Sequence, residues 1–407
     1  MYKAAIIGIS GYGNVHYTEL KREAENGAAV IAAAAVINQD EEKEKCDWLR
    51  SQGAELFTDY HEMLNRFRDQ IDICFIPTGI ALHAEMSIAA MRAGANVYVE
   101  KPIAATIQEV REIQQVSRET GKFVAVGYQF IYQPGIHQIK QLLLDGVLGE
   151  LKSFKGRATT LRNSAYYARN HWAGKLKANG RWVLDSPFNN AHAHYLHLLC
   201  FFAGKEFGNA AEIKTVQAEL YKANAIENAD TACMRIETAG GAPICFYSTQ
   251  ACSVSRLPDL MITGEKGRLI LDIASPEAVI ELNDGTVRTL PRTPVKEHYR
   301  HLFDALCRRL ADPAAFICDL DIAVSQTLCC NGAHESSAVH AIPSQYKSKK
   351  KEESGAMHIE IENIEQIIDR AFDEEKLFSE LDVDWAQPGI RVPMTGYEQF
   401  TGGNTGE

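Results

Sequence analysis

KAAIIGISGYGNVH, residues 3–16, decides how the first part of the chain is read. KAAIIG (3–8) is a short apolar run that predicts a buried strand, and Val15 to Glu25 has the spacing of a helix. Gly8, Ser10, Gly11 and Gly13 lie between them. A strand that turns through glycines into a helix gathers backbone N–H groups where the helix dipole also favours negative charge. The template G-x-G-x-x-G uses its first Gly for the tight turn and its second for close approach of a pyrophosphate. Its third serves helix–strand packing. Here the slots hold Gly8, Ser10 and Gly13, so the middle one carries a hydroxymethyl group. Read alone, the loop is also a tight turn without a ligand; the strand before and the helix after favour a dinucleotide.

Outward from this loop the pattern repeats. AVIAAAAVIN (29–38), IDICFIP (71–77), NVYVE (96–100) and KFVAVGY (122–128) read as strands. Asp40 to Gln52, Leu82 to Ala93 and Ile107 to Thr120 read as helices. Such alternation predicts a parallel sheet covered on both faces, with any ligand at the carboxyl ends of its strands. An acidic residue is expected about 20 residues past the glycines to hold a ribose hydroxyl. Asn38 occupies that slot, and Asp40, Glu41 and Glu42 would repel a 2′-phosphate. The expected cofactor is therefore NAD, with NADP as the alternative.

From about Gln133 the grammar changes. A helix from Ile136 to Asp145 precedes LKSFKGRATTL, TVQAELYKA, TACMRIETA, PICFYSTQAC, DLMITG, GRLILDI, AVIEL and TVRTL. Strands that follow one another without helices predict one open, mainly antiparallel sheet, closed by helices at Lys296 to Ala311 and Ile322 to His334. The expected organisation is a Rossmann domain at 1–127 and an α+β domain for substrate binding and oligomerisation at 128–343. A basic linker with a helical tail occupies 344–407. Ser344-Gln345-Tyr346-Lys347-Ser348-Lys349-Lys350-Lys351 reads as a mobile basic linker, and Ile364, Ile367, Ile368, Ala371, Phe372 and Leu377 mark an amphipathic helix that docks on the body or on another subunit.

The chain has 407 residues, 46% hydrophobic and 23% charged, which suits two globular domains and an appendage. Its net charge of −11 argues against a nucleic-acid groove or an anionic membrane surface. Ten scattered cysteines without CxxC, and no apolar run of membrane length or secretory leader, lead to an expectation of a cytoplasmic protein.

The glycine loop, the block PTGIALHAEMSIAAMRAGANVYVEKP (77–102) and the later antiparallel sheet together resemble the Gfo/Idh/MocA oxidoreductases over roughly residues 1–340. By that resemblance Lys101 lies beside the nicotinamide and contacts the reacting hydroxyl of a sugar or polyol, and Pro102 fixes the turn. A strand's carboxyl end in this fold points into the cofactor crevice, which aims Lys101 at a ligand; Glu100 then holds the ammonium or meets the cofactor. The cofactor-binding set so implied comprises Gly8, Ser10, Gly11, Tyr12, Gly13 and Asn14 of the loop, with Asn38. Pro77, Thr78, His83, Glu100, Lys101 and Gln129 complete it. His83 matches a helix-start histidine of the family and reads better as structural than as catalytic. Many members carry an Arg after the last Rossmann strand; this chain has Gly127-Tyr128-Gln129-Phe130 instead, leaving Tyr128, Gln129 and Tyr132 to line a pocket.

Family members also carry an Asp followed by a catalytic His at a helix start. In NGRWVLDSPFNNAHAHYLHLLCFFAG (179–204), counting back from Gly204 puts His194 in that slot and His197 in a later one. Asp185, expected to be catalytic with Lys101 and His194, then lies nine residues before His194, where many members have four. On a helix Asn190, His194 and His197 share a face and His192 points elsewhere. A lone buried His is commonly a hydrogen-bonded core residue; here the resemblance favours His194 as the group that exchanges the substrate proton. No Cys/His cluster accompanies His194-x-x-His197, so no metal is expected. TTLRNSAYYARNHWAGK (159–175) gathers Arg162, Tyr167, Arg169, Asn170 and Trp172, which suit sugar C–H faces and vicinal hydroxyls, or equally a packed Tyr-rich loop.

The expected function is an NAD(P)-dependent oxidoreductase acting on a secondary alcohol or ketone of a sugar, polyol or glycoside, as a homodimer or homotetramer. One rival keeps NAD bound and oxidises a glycoside at C3 before elimination or hydrolysis. Another is a non-catalytic NAD-binding sensor or scaffold.

Overall fold

A computed structural model describes residues 1–294 and 297–403. The chain divides into two compact units. The first comprises Met1–Ala104, Gln108–Tyr132 and Lys296–Ala323; the second comprises Ala105–Ile107, Gln133–Val295 and Val324–Glu407.

In the first unit, strands β1 (Tyr2–Ile7), β2 (Ala29–Ala35), β3 (Glu55–Phe57), β4 (Ile73–Ile76), β5 (Asn96–Val99) and β6 (Val124–Val126) form one sheet. They are all parallel, in the order β3-β2-β1-β4-β5-β6. Helices α1 (Gly13–Glu25), α2 (Lys43–Ser51), α3 (Tyr60–Arg66), α4 (His83–Arg92) and α5 (Ile107–Thr120) make the crossovers. The strand order reverses between β1 and β4, and that switch point is where an open α/β sheet leaves a crevice beyond its strand ends. Ala33, Ala34, Ile73 and Val97 are fully buried, as strands covered on both faces require.

β3 and α3 are absent from the sequence reading. Three residues give too little periodicity to register, although Asp59 caps α3 by accepting from His61 N at 2.8 Å. A second difference concerns the helix read as closing the antiparallel sheet. Helix α9 (His298–Ala311) belongs to the first unit, where Phe303 stacks on Phe75 of β4 at 5.3 Å; the expected start at Lys296 lies outside the described residues. Amphipathic spacing shows which helix face is buried, not which sheet buries it.

The second unit carries α6 (Pro134–Leu144), β7 (Leu151–Thr159), α7 (Ser164–Ala168), the short ribbon β8 (Lys177–Ala178) with β9 (Arg181–Trp182), and α8 (Ala193–Phe202). Strands β10 (Ile213–Lys222), β11 (Thr231–Thr238), β12 (Ile244–Thr249), β13 (Arg256–Gly264), β14 (Gly267–Asp272), β15 (Glu277–Leu282) and β16 (Val287–Pro291) come next. α10 (Leu320–Ser336) starts in the first unit and ends in the second, before β17 (Val339–Ala341). The sheet order is β16-β15-β14-β13-β7-β12-β11-β10-β17, with parallel pairing only for β7–β12 and β10–β17 among these neighbours. It is mainly antiparallel, as expected.

The basic run read as a linker is strand β18 (Lys347–Lys351), paired antiparallel with β19 (Met357–Ile361). Ladder hydrogen bonds form along the backbone whatever the side-chain charge, and exposed lysines suit an edge strand. Helix α11 (Ile364–Glu374) then packs Ile364, Ile368 and Phe372 with Tyr221, Cys233 and Tyr247 of the sheet. β20 (Val392–Pro393) pairs with β10. The tail therefore covers a sheet face that, left open, would be an association surface. All ten cysteines are free thiols. Among the described residues no helix is long and apolar enough to cross a membrane.

One buried cation tests this packing. Lys140 of α6 is wholly buried, and its Nζ donates to the carbonyls of Phe201 and Gly204 at the end of α8 and towards Asn209 O. The carbonyls favour the ammonium; burial opposes it and pulls its pKa from 10.5 to about 7. Below that value both folded and unfolded chains are protonated and the fold bears the full burial cost. Between about 7 and 10.5 the unfolded chain holds a proton that the folded chain has shed, so stability rises with pH. Urea unfolding should show the wild type gaining on Lys140→Met through that window, with a limiting slope of about 1.4 kcal/mol per pH unit. A pH-independent difference would mean that Lys140 stays charged.

Candidate active site

The glycine loop is held by its own backbone. Gly8 and Gly11 have φ of 88° and 56°, which glycine adopts without strain. A Cβ on Gly13 would lie 2.8 Å from Gly8 O, so only glycine lets α1 sit this close to the end of β1. The amides of Gly13, Asn14 and Val15 bond to Ser10, Gly11 and Tyr12 carbonyls, while those of Gly11 and Tyr12 make no hydrogen bond among the described residues. Two unspent donors at a helix N-terminus fit a pyrophosphate.

Ser10 Oγ donates to Asn38 Oδ1 at 3.1 Å, and Asn38 Nδ2 donates to Glu41 Oε2 at 2.8 Å. The middle-slot hydroxyl is thus tied to the residue at the ribose position, beside a carboxylate that disfavours a phosphate there.

At the end of β5 the buried Glu100 takes His16 Nε2 at 2.8 Å on Oε1 and the Lys101 amide at 3.0 Å on Oε2. Tyr98 OH reaches Oε1 at 3.5 Å. Burial alone would raise the Glu100 carboxyl; the His16 hydrogen bond and the charges of His16 and Lys101 outweigh it and hold it below the usual range. Glu100 therefore anchors the backbone from which Lys101 projects. The Lys101–Pro102 peptide is cis. His83 is buried with Nδ1 2.7 Å from Pro102 O and Nε2 3.1 Å from Thr78 O. It braces the turns after β4 and β5, and both ring nitrogens already face backbone carbonyls. Pro77 and Thr78 sit against Gly13 and Gly8 respectively. The Tyr12 hydroxyl lies 2.5 Å from that of Tyr299 on α9 and beside Gln129.

In the second unit, His192 occupies the N-cap position of α8, and its ring is fixed by Thr160 Oγ1 at 2.8 Å and Ser248 Oγ at 2.7 Å. His194, the second helical residue, and His197, wholly buried, lie one turn apart on α8. Asp185 is buried; Oδ2 accepts from Gly174 N at 2.7 Å and Oδ1 from Asn190 Nδ2 at 2.8 Å, with Arg169 Nη2 at 4.0 Å. These bonds make it a group that positions Asn190 and the 169–174 loop. In that loop Arg169 lies 3.7 Å over Tyr166 and 5.2 Å from Trp172, and Arg162 lies 4.3 Å over Tyr166. Tyr167 OH donates to Gln250 Oε1 at 3.0 Å, and Asn170 Oδ1 turns the chain by accepting from Trp172 N and Ala173 N. Tyr128, expected to touch substrate, is wholly buried in the first unit.

Among the described residues no group of three or more His, Cys, Asp or Glu side chains could hold a metal ion. The residue that sequence reasoning missed is His16. It stands in the quoted loop, three positions after Gly13, where α1 turns it towards β5; the glycine template counts glycines and takes no account of the helix residues beyond them.

A Rossmann unit with an open phosphate cradle, joined to a sheet unit carrying two helical histidines, defines a dinucleotide-binding protein of the oxidoreductase type. Residues 2–128 match the family described as "Oxidoreductase family, NAD-binding Rossmann fold", and residues 136–270 match "GFO/IDH/MocA C-terminal domain". The chain belongs to the Gfo/Idh/MocA oxidoreductase family, and its first unit is an NAD-binding Rossmann domain. An inositol 2-dehydrogenase of Klebsiella pneumoniae is 24% identical over 306 residues, 74% of this chain and 82% of the relative. A dTDP-3,4-didehydro-2,6-dideoxy-alpha-D-glucose 3-reductase of Actinomadura kijaniata is 33% identical over 107 residues, 26% of this chain and 32% of the relative. The chain spans less than half the length of several curated relatives that it matches, 32% of that reductase and 45% of the Salmonella typhimurium inositol 2-dehydrogenase. Among solved structures, levoglucosan dehydrogenase in complex with NADH and levoglucosan superposes with a TM-score of 0.68 at 17% identity. It covers 82% of this chain and 95% of that one, a likeness of fold alone.

Glu100→Gln keeps the shape of the anchor and removes its charge. At neutral pH the variant should lose about 1–3 kcal/mol in urea unfolding, the cost of a mismatched buried hydrogen-bond partner. A carboxyl held below its usual value stabilises the fold above 4.5, and this contribution is lost as pH falls through the folded value. The gap to wild type should therefore hold steady above 4.5 and close below it; a gap unchanged down to acid pH would remove the charge from the account.

Proposed function

We propose that this protein is an NAD-dependent oxidoreductase acting on a secondary alcohol or ketone of a sugar, polyol or glycoside. The single observation that carries the reading is Lys101 at the carboxyl end of β5, its backbone pinned by the buried Glu100–His16 pair, inside an NAD-binding Rossmann domain. Relatives named as an inositol dehydrogenase and a sugar 3-reductase support the substrate class. The Ser10–Asn38–Glu41 network favours NAD over NADP.

When bound, the nicotinamide supplies hydride chemistry at its ring carbon. The chain's residues do the remainder. His194 takes the hydroxyl proton during oxidation and returns it during reduction, since an imidazole exchanges protons near neutral pH. Lys101 stabilises the developing alkoxide. Asn190, positioned by Asp185, binds a neighbouring hydroxyl, and Arg162, Arg169 and Trp172 offer donors and an aromatic face to the sugar. Residues 1–127 form the heart of the cofactor domain, and the sheet unit supplies the remaining substrate groups.

Lys101→Ala and His194→Ala are each expected to lower turnover at least about 100-fold on a panel of polyols and glycosides. NAD affinity by calorimetry should stay within about tenfold of wild type, because the phosphate cradle lies elsewhere. Wild-type turnover in either variant would remove the mechanism. Sugar product without net NADH would replace net oxidation by an internal redox cycle.

A further inference from the structure

A cavity of about 740 Å³ opens in the second unit, walled by the 164–175 loop, residues 224–227 and the β18–β19 hairpin. We propose that it binds an amphipathic organic anion, with the carboxylate or phosphate held by Lys175 and Lys349 and the apolar body against Ile226, Met357 and Ile359. The site lies outside the proposed catalytic set and does not rest on it: Asp185, Asn190, His194 and His197 do not line the cavity, and of the loop residues read as suiting a sugar Tyr167 alone does. Gly174 divides the two regions, giving its N–H to Asp185 and its carbonyl to the amides of Glu227 and Asn228 at 3.0 and 2.9 Å.

The volume suits a small organic molecule, and the walls are preformed. Ser164 Oγ accepts from Met357 N at 2.9 Å and Asn163 Nδ2 donates to Glu352 Oε2 at 2.8 Å, which fastens the loop to the hairpin. The cationic rim is not spent internally. Among the described residues neither Lys175 nor Lys349 has a carboxylate partner, whereas Lys350, on the opposite face of β18, pairs with Glu360 at 2.8 Å. Glu227 is the carboxylate on the cavity wall, and its Oε2 accepts from Leu176 N at 3.3 Å. Lysines on an edge strand deter strand addition, which accounts for the basic character of β18. It does not account for an apolar-walled cavity beneath one of them.

The full chain is titrated by calorimetry and ligand-observed NMR with 3-phenylpropionate, phenyl phosphate and the neutral 3-phenylpropan-1-ol. One or both anions should bind about tenfold or more tightly than the alcohol, and the stronger one identifies carboxylate or phosphate as the preferred group. Lys175→Ala and Lys349→Ala should each weaken anion binding by about three- to tenfold, Ile226→Trp should abolish it, and Lys350→Ala should leave it unchanged. Both rim lysines are exposed, so those variants keep the test intact if Ile226→Trp fails to fold. Equal binding of alcohol and anions, or wild-type anion binding in the Lys175→Ala/Lys349→Ala double variant, would overturn the proposal.

Discussion

A carboxylate buried at the end of a parallel strand is the constraint around which the first unit is arranged. Removing Glu100 from water is costly unless its lone pairs are met, and His16, Tyr98 and the Lys101 amide meet them. Those partners come from α1, from β5 and from the residue next in the chain. The pair therefore fixes α1 against the strand end, and with it the glycine loop that opens α1. His83 performs the corresponding service between the turns after β4 and β5. Phosphate cradle and lysine are held through the same few bonds, which is how backbone precision reaches a flexible side chain.

Much of this was legible in the sequence because it is local. A strand, a glycine turn and a helix within two dozen residues identify themselves by period and punctuation, and so did β4, β5 and their helices. What was not legible depends on pairing across the chain. β3 has three residues and gains its identity from β2. The helix at His298–Ala311 shows an apolar face, and only tertiary structure assigns that face to Phe75. The basic run at 347–351 looks solvated because charge masks alternation, while its ladder is completed by β19.

The candidate site was legible to the same extent. Lys101 and Asn38 stand where strand ends put them. The oxygens of Asp185 are engaged by Gly174 and Asn190, contacts that no spacing rule could supply. The choice among three nearby histidines came partly from helical geometry and is sharpened by side-chain bonds, since Thr160 and Ser248 occupy both nitrogens of His192.

Strand β7 shows why the tail belongs to the sheet. Its residues alternate, as a strand's must. A Cβ at Gly156 would come within 3.0 Å of Leu199 on α8, so that face is shaped for the histidine-bearing helix. On the other face stand Lys155 and Arg157, cations that an open sheet would simply give to water. Here Lys155 donates to Phe372 O at 2.9 Å, and Arg157 pairs with Asp259 and Asp369 while lying 4.4 Å from the Phe372 ring. A half-buried cation is tolerable only where acids and carbonyls surround it; α11 supplies Asp369 and the Phe372 carbonyl, and β13 supplies Asp259. The apolar cluster beside them, from Tyr221 and Tyr247 to Phe378 and Trp385, is too large to leave bare on a stable monomer. The second face of the sheet is thus built in both charge and shape for the last part of its own chain.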